Sequence, residues 1–354
     1  MTNYDDMKLA VEMASGGVNT VAFDDLGFPS VMVSVAQMLR SYLVNDETDD
    51  VHYGFLVEDE EYAKVYMSKY QNIVSNSRAY SLPMQDPRAS TTFDNALTYC
   101  RNKGEGWGIQ PFSLWSAIAL WCKKNGFQPH GNNQYGHDVT YTWEKGVVSY
   151  NDGTNNCRTA TGSGPATWYH DGTRNGIADM NGNVWEWCAG MRLVAGELQV
   201  IPYANCILAT CDMGASSTEW MCIDADGNYV EQGSDDTLHL DYISSKWCWI
   251  AGDSFTSQDD SSRSCAFANV YASDDVNDGA KLFLRSMGLL PEDSDTDYGS
   301  DYFYANNGAA ERAPYRGGRW GPGSTAGVFT VSLTHSRSNS SATVGFRSAY
   351  YGSL

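Results

Sequence analysis

Positive charge is scarce in this sequence. It holds 23 Lys and Arg against 43 Asp and Glu, a formal charge of −20. Phosphate backbones and anionic lipid both demand a basic surface, so nucleic acid and a charged membrane face are excluded as main partners. No apolar run approaches the ~18 residues of a membrane-spanning helix, so membrane insertion is not expected. The opening stretch, MTNYDDMKLAVEMASGG, has neither a basic start nor an apolar block, and no secretory leader is expected there. No C-x-x-C pair occurs among the cysteines at 100, 122, 157, 188, 206, 211, 222, 248 and 265, which excludes a zinc ribbon or thioredoxin-like motif. An odd set of nine thiols without a leader reads as buried small hydrophobes in a chain made in a reducing cytosol.

What is present points to a packed, loop-rich chain. Apolar residues make up 42% and aromatics 13%, too many for a disordered acidic polymer. The length of 354 residues allows one large domain or two. The acidity is local. Residues 197–301 carry 20 acids and four bases, whereas residues 312–354 carry five arginines and no acid.

Residues 1–50 read as a separate N-terminal attachment or assembly element, with a hairpin from 18–23 and 31–35 around a turn at 24–29. Residues 45–50 read as a linker, and 62–74 as a strand. Residues 91–102 have helix signals: Thr91 or Thr92 as N-cap, Phe93, Ala96, Leu97 and Cys100 on one face, and Gly104 as the stop. A second helix is expected over 113–125, capped by Ser113, ended by Gly126 and apolar nearly all round. Residues 131–138 form a polar loop. Residues 192–310 read as a variable acidic insertion within a domain spanning 51–354. Two early helices followed by turn-rich short strands give the expected class, α+β.

Residues 175–188 read NGIADMNGNVWEWC. Asp179 and Glu186 offer carboxylate oxygens and the Gly-rich turn offers carbonyls, a donor set suited to a hard cation such as calcium. The same residues also describe a core strand with satisfied polar groups, the commoner reading of such a pattern.

This segment resembles the L-x-D-M-x-G-N-V-W-E-W signature of the formylglycine-generating-enzyme-like branch of the C-type lectin fold. Trp107-Gly108-Ile109, Pro111–Ala119, Tyr315-Arg316-Gly317-Gly318-Arg319-Trp320 and Gly345-Phe346-Arg347 resemble its other motifs, in the same order. The resemblance implies that fold: two helices, short antiparallel strands and long loops, plus a small N-terminal element. It also implies a structural calcium held by the side chains of Asp179 and Glu186 and the carbonyls of Gly182 and Val184. The oxidising members need a cysteine pair near R-G-G and G-F-R, and here residues 266–354 contain none. Formylglycine-generating activity is therefore not expected, and no other catalytic constellation is readable, so the chain is read as a non-enzyme.

Residues 315–351 resemble the variable region of proteins diversified by retroelements, among them phage tropism determinants with the same fold. That process randomises Asn codons to NNY, which never encodes Met, Trp, Lys, Glu or Gln. Those five types supply 54 of residues 1–320 and none of residues 321–354. Phe329, Val331 and Leu333 alternate with Thr330, Ser332 and Thr334, which predicts a strand with one anchored and one exposed face. The scaffold would be Trp320, Ala326, Gly327, Phe329, Leu333, Arg337, Gly345, Phe346 and Arg347. The variable ligand-binding set would be Arg319, Gly321, Pro322, Thr325, Thr330, Ser332, Thr334, His335, Ser341, Ala342 and Thr343, with Tyr350 and Tyr351 as nearby aromatic anchors. The resemblance thus implies a protein or glycan receptor on a target cell as partner, other virion proteins bound through residues 1–50, and a location on a phage tail or outside the cell after synthesis without a leader. A fixed-specificity calcium-dependent lectin is the rival reading, weakened by the lack of an E-P-N triplet. A divergent oxidase is the third.

Overall fold

The computed structural model describes residues 3–292, 297–321 and 323–354. Asn19–Phe23 pairs antiparallel with Pro29–Ala36, as the turn residues between them predict. Asp24 Oδ1 accepts the N–H groups of Leu26 and Phe28 at 3.0 and 2.7 Å and closes that turn. The hairpin does not stand apart. It edges a five-stranded sheet that continues through Lys64–Ser68, Ser348–Tyr350 and Trp107–Ile109. Val33 and Val35 join Phe55, Met67 and Leu114 in the main core, so the expected boundary at residue 50 divides one packed body. Helix α1 (Asn3–Ser15), which no sequence signal announced, lies on the hairpin with the Tyr4 ring 4.9 Å from Phe23. Met7, Leu9 and Met13 on it stay exposed.

A four-residue helix, α2, spans Arg40–Leu43. Helix α3 (Phe93–Arg101) follows its signals: Thr92 Oγ1 accepts Asn95 N–H, and Phe93, Ala96 and Cys100 are buried. Helix α4 (Phe112–Lys124) is buried nearly all round, as its composition predicts. Its cap differs from expectation. Pro111 sits at the N-cap position without a side-chain bond, and Ser113 Oγ donates instead to the Tyr203 carbonyl. A proline's fixed φ suits a helix entry and starts the helix one residue early.

The two-helix architecture with long loops is overturned. Strands account for 31% of the chain and helices for 17%, spread over several sheets. The difference lies in residues 192–310, read from sequence as a variable acidic insertion. That stretch instead contributes most of a seven-stranded sheet built from Met191–Val194, Glu197–Val200, Met221–Ile223, Tyr229–Val230, Leu238–Ile243, Lys246–Ala251 and Tyr271–Ala272. Leu238, Leu240, Trp247 and Trp249 are fully buried in the main core. Helix α5 (Asp278–Ser286) packs Ala280, Phe283 and Leu284 against the same core. Alternation places apolar residues inward, and most acids fall at turns; Asp241 is buried, but its carboxylate accepts the N–H groups of Thr256 and Ser257. All nine thiols are free and buried, as expected of small hydrophobes. No helix among the described residues is long and apolar enough to cross a membrane.

A third sheet positions the candidate site. Its six strands run in the order Arg263–Ala266, Tyr302–Ala305, Val331–His335, Ala313–Arg316, Trp185–Trp187 and Val344–Phe346. Strands from the presumed insertion and from the C-terminal segment therefore lie side by side.

Candidate functional surface and the buried cage beneath it

Strand pairing places Tyr304, Ser332, Tyr315, Trp187 and Phe346 on one side of the six-stranded sheet. Phe303, Val331 and Leu333 point to the other side, into the main core. Half of the first side is covered: Phe93 and Cys100 of α3 bury Trp187, Tyr315 and Phe346. The other half carries Tyr302, Tyr304, Ser332 and Thr334. Trp185 joins it, with its ring 6.2 Å from Tyr304 at 90°. These rings are half-buried, and hydroxyls surround them. Tyr304 Oη donates to Thr325 Oγ1 at 3.0 Å, and Ser332 and Thr334 share a hydrogen bond of 2.9 Å. Trp185 N–H donates to the Thr343 carbonyl and ties the last loop to the same edge. At the other end Tyr135 lies 5.6 Å from Trp320, whose indole Nε1 is buried without a partner among the described residues.

The predicted variable set divides in three. His335 and Ala342 are exposed, and Arg319, Thr325, Thr334, Ser341 and Thr343 are half-buried. Thr330, Ser332 and Gly321 are buried, against the expectation of an exposed polar face. The reason is that Val331–His335 is an interior strand. Thr330 Oγ1 donates to the Thr325 carbonyl and accepts Tyr302 N–H, while Ser332 lies between Tyr304 and Tyr315. A side chain at Gly321 would meet the Tyr135 ring at 3.2 Å. Pro322 lies outside the described residues. Of the anticipated anchors, Tyr350 is half-buried and Tyr351 is buried with its hydroxyl on the Gly54 carbonyl, both away from this surface.

Of the predicted scaffold residues, Trp320 and Arg337 are half-buried and the rest are buried; Arg316, outside that set, is the deepest cation of the segment beside Arg347. Arg316 is fully buried, donates to the carbonyls of Phe329, Met287 and Gly288, and lies 4.1 Å over the Phe112 ring. Burial pushes its guanidinium down to about 10. Arg337 reaches the Met213 carbonyl and stacks over Phe93. Gly327 faces Asp301 so closely that a Cβ would stand 2.0 Å from Oδ1.

Three of the four predicted metal ligands, the carbonyls of Gly182 and Val184 and the Glu186 carboxylate, converge on a side chain, joined by the Asp179 carbonyl in place of its carboxylate. Gln71 Nε2 lies 3.2 Å from the Asp179 carbonyl, 3.5 Å from that of Gly182, 3.3 Å from that of Val184 and 3.0 Å from Glu186 Oε1. Asn183 Nδ2 donates to Gln71 Oε1 at 2.8 Å, which fixes the amide with its donor pointing into the cage. Glu186 is meanwhile neutralised by Arg347 through bonds of 2.6 and 2.7 Å and receives Gln110 Nε2 as well. The Asp179 carboxylate turns away, accepts Gly162 N–H, and is pushed up to about 6 by desolvation. This donor set does not fit a cation: its charge is already balanced and a hydrogen-bond donor stands at its centre. Among the described residues no group of three or more His, Cys, Asp or Glu could hold a metal.

Sequence reasoning missed the aromatic half of the surface. The sequence places Tyr135 in a polar loop and Tyr302 and Tyr304 in the insertion, and gives Trp185 no role beyond its metal-or-core segment. The period-two run Tyr302-Phe303-Tyr304-Ala305 was the available signal.

No family model matches the chain, and no curated protein matches it. Solved structures that are loosely similar include the following two. The variable protein 1 of Treponema denticola is 10% identical, with 94% of this chain and 99% of that one covered, at a TM-score of 0.34. PvdO from Pseudomonas aeruginosa is 14% identical, with 94% and 97% covered, at 0.31. Likenesses at this level carry no argument about function.

Proposed function

We propose that this chain is a non-enzymatic binding protein whose C-terminal segment is a recognition surface diversified by a retroelement. The observation that supports it most is the arrangement on the six-stranded sheet. Seven predicted variable positions, Arg319, Thr325, Thr334, His335, Ser341, Ala342 and Thr343, are exposed or half-buried along strand ends and loops. Buried Arg316 and Arg347 and half-buried Arg337, in the same segment, tie it to the core. Varied side chains there leave the core intact. Rings from outside the segment, Trp185, Tyr302, Tyr304 and Tyr135, supply a constant floor of large amphipathic contact area beside small hydroxyls, the chemistry of antibody paratopes. The target we infer is a receptor on a cell surface, and the bearer a phage particle. The exposed apolar side of α1 is the face for attachment to it, and many copies on one particle would strengthen modest single-site affinity.

The first test is genetic. The gene should be accompanied by a near-copy of its 3′ end with AAC or AAT codons at the seven positions, beside a reverse transcriptase gene. A locus with neither removes the diversification claim. The second test is a displayed library randomised at those seven positions. It should yield folded variants that bind unrelated proteins; a library whose folded members bind nothing would overturn the binding claim.

A further inference from the structure

Beside this surface lies a cavity of about 280 Å³. Ser324 and Gly327 of the C-terminal segment form one wall, His130 and Tyr141 the other, and Asp138 and Asp301 line its interior. The volume is at the lower limit for a small-molecule pocket, ~300 Å³, and suits a single side chain better than a cofactor. Among the described residues no Lys or Arg lines it.

The two acids differ. Asp138 is saturated within its own loop: Oδ1 accepts Thr140 and Tyr141 N–H, and Oδ2 accepts Gly131 N–H and Asn133 Nδ2. Asp301 is only 4% exposed, yet no side chain donates to it among the described residues. Its one hydrogen bond of normal length is from Phe329 N–H to Oδ2, at 2.7 Å. The guanidinium of Arg316 acts on it electrostatically but forms no ion pair with it among the described residues; it donates to carbonyls and to Ser116 Oγ, and its Nε has no partner there. Desolvation pushes the Asp301 carboxyl up to about 7. A buried carboxyl without a cation partner, opening into a cavity, is a site short of a positive charge. Tyr141 stacks on His130 at 4.0 Å and offers a partly exposed ring face at the rim, suited to a planar cation.

We propose that this cavity receives the cationic end of a basic side chain, arginine or lysine, from the bound partner, with Asp301 as its counter-charge. The proposal rests on the binding-surface reading and names a chemical feature of the partner. Asp301, His130 and Tyr141 lie outside residues 315–351, so every version of the variable segment would keep this subsite while its neighbours change.

The test uses the full chain and N-acetyl-arginine amide as probe, followed by chemical-shift changes or calorimetry. Wild type should show saturable binding, and the uncharged isostere N-acetyl-citrulline amide should not. Asp301→Asn keeps an acceptor for Phe329 N–H and should weaken binding at least about tenfold, the cost of ~1.4 kcal/mol. Ser324→Arg, at an exposed position, places a cation over the cavity from within and should abolish binding without touching the core. Equal binding of the citrulline compound, undiminished binding by both variants, or no wild-type binding at attainable concentrations would each overturn the proposal. None of these outcomes bears on the library experiment, which tests the surface itself.

Discussion

At the scale of single residues the most consequential side chain is Gln71. An amide donor takes the place that sequence resemblance reserved for calcium. The substitution is chemically sensible because Arg347 already balances Glu186, so the cage needs a donor and not a charge. Chelator should therefore leave the melting temperature unchanged, and millimolar calcium should not raise it. A ligand bound only to the native state adds stability with concentration, so a calcium-dependent rise would disprove the assignment. Gln71→Ala should cost about 2–4 kcal/mol in denaturant unfolding, because buried acceptors lose their shared donor. Glu186→Gln should cost about 3–5 kcal/mol by leaving the Arg347 cation buried and unbalanced. A near-neutral result for Glu186→Gln would mean that water reaches the pair.

At the scale of elements, the interior strand Val331–His335 sets which positions can vary. Thr330 and Ser332 are enclosed between neighbouring strands, whereas Thr334 and His335 emerge at the strand end. Bulky substitutions such as Thr330→Tyr should destabilise by about 1–3 kcal/mol through overpacking. The same changes at Thr334, His335, Ala342 or Thr343 should stay within about 0.5 kcal/mol. Thermal unfolding of the single variants separates the two groups; uniform tolerance would place the strand at the surface after all. This split also shows what was legible beforehand. The hairpin, α3 and α4 were readable because their turn residues, cap and apolar density are local signals. The alternation in 329–334 was readable too, but alternation does not tell whether the polar side is covered by another strand. α1 gave no signal because its apolar residues are not spent on the core. The sheet within 192–310 was hidden by acids that lie mostly at turns, or, like Asp241 within its strand, are satisfied by backbone N–H groups. The cage ligands were found by motif, while Gln71, over a hundred residues away in sequence, had no pattern to betray it.

At the scale of the whole molecule, the C-terminal segment is the tie between sheets. Val331–His335 and Val344–Phe346 belong to one sheet and Ser348–Tyr350 to another, so recognition and global stability share a few dozen residues. This coupling makes the pH dependence informative. Burial raises Asp301 to about 7 and Asp179 to about 6, above the ~3.9 of an unfolded aspartate. Between those values the native state holds protons that the unfolded state has released, so these two groups withdraw stability as pH rises from about 4 to 7. Buried His52 and His170, pushed down to about 4, act oppositely and withdraw stability as pH falls below the ~6.5 of a free imidazole. The wild-type profile is therefore flattened by opposing contributions, and its shape alone assigns nothing. The difference between wild type and Asp301→Asn isolates one group. That variant should gain on wild type as pH rises from 5 to 8, by an amount on the order of 1–3 kcal/mol, because an amide has no proton to lose. Adding N-acetyl-arginine amide should shrink that gain by favouring the ionised carboxylate in wild type alone. Parallel denaturation profiles across this range would show that Asp301 stays ionised in the native protein, with a counter-charge already supplied from within the chain.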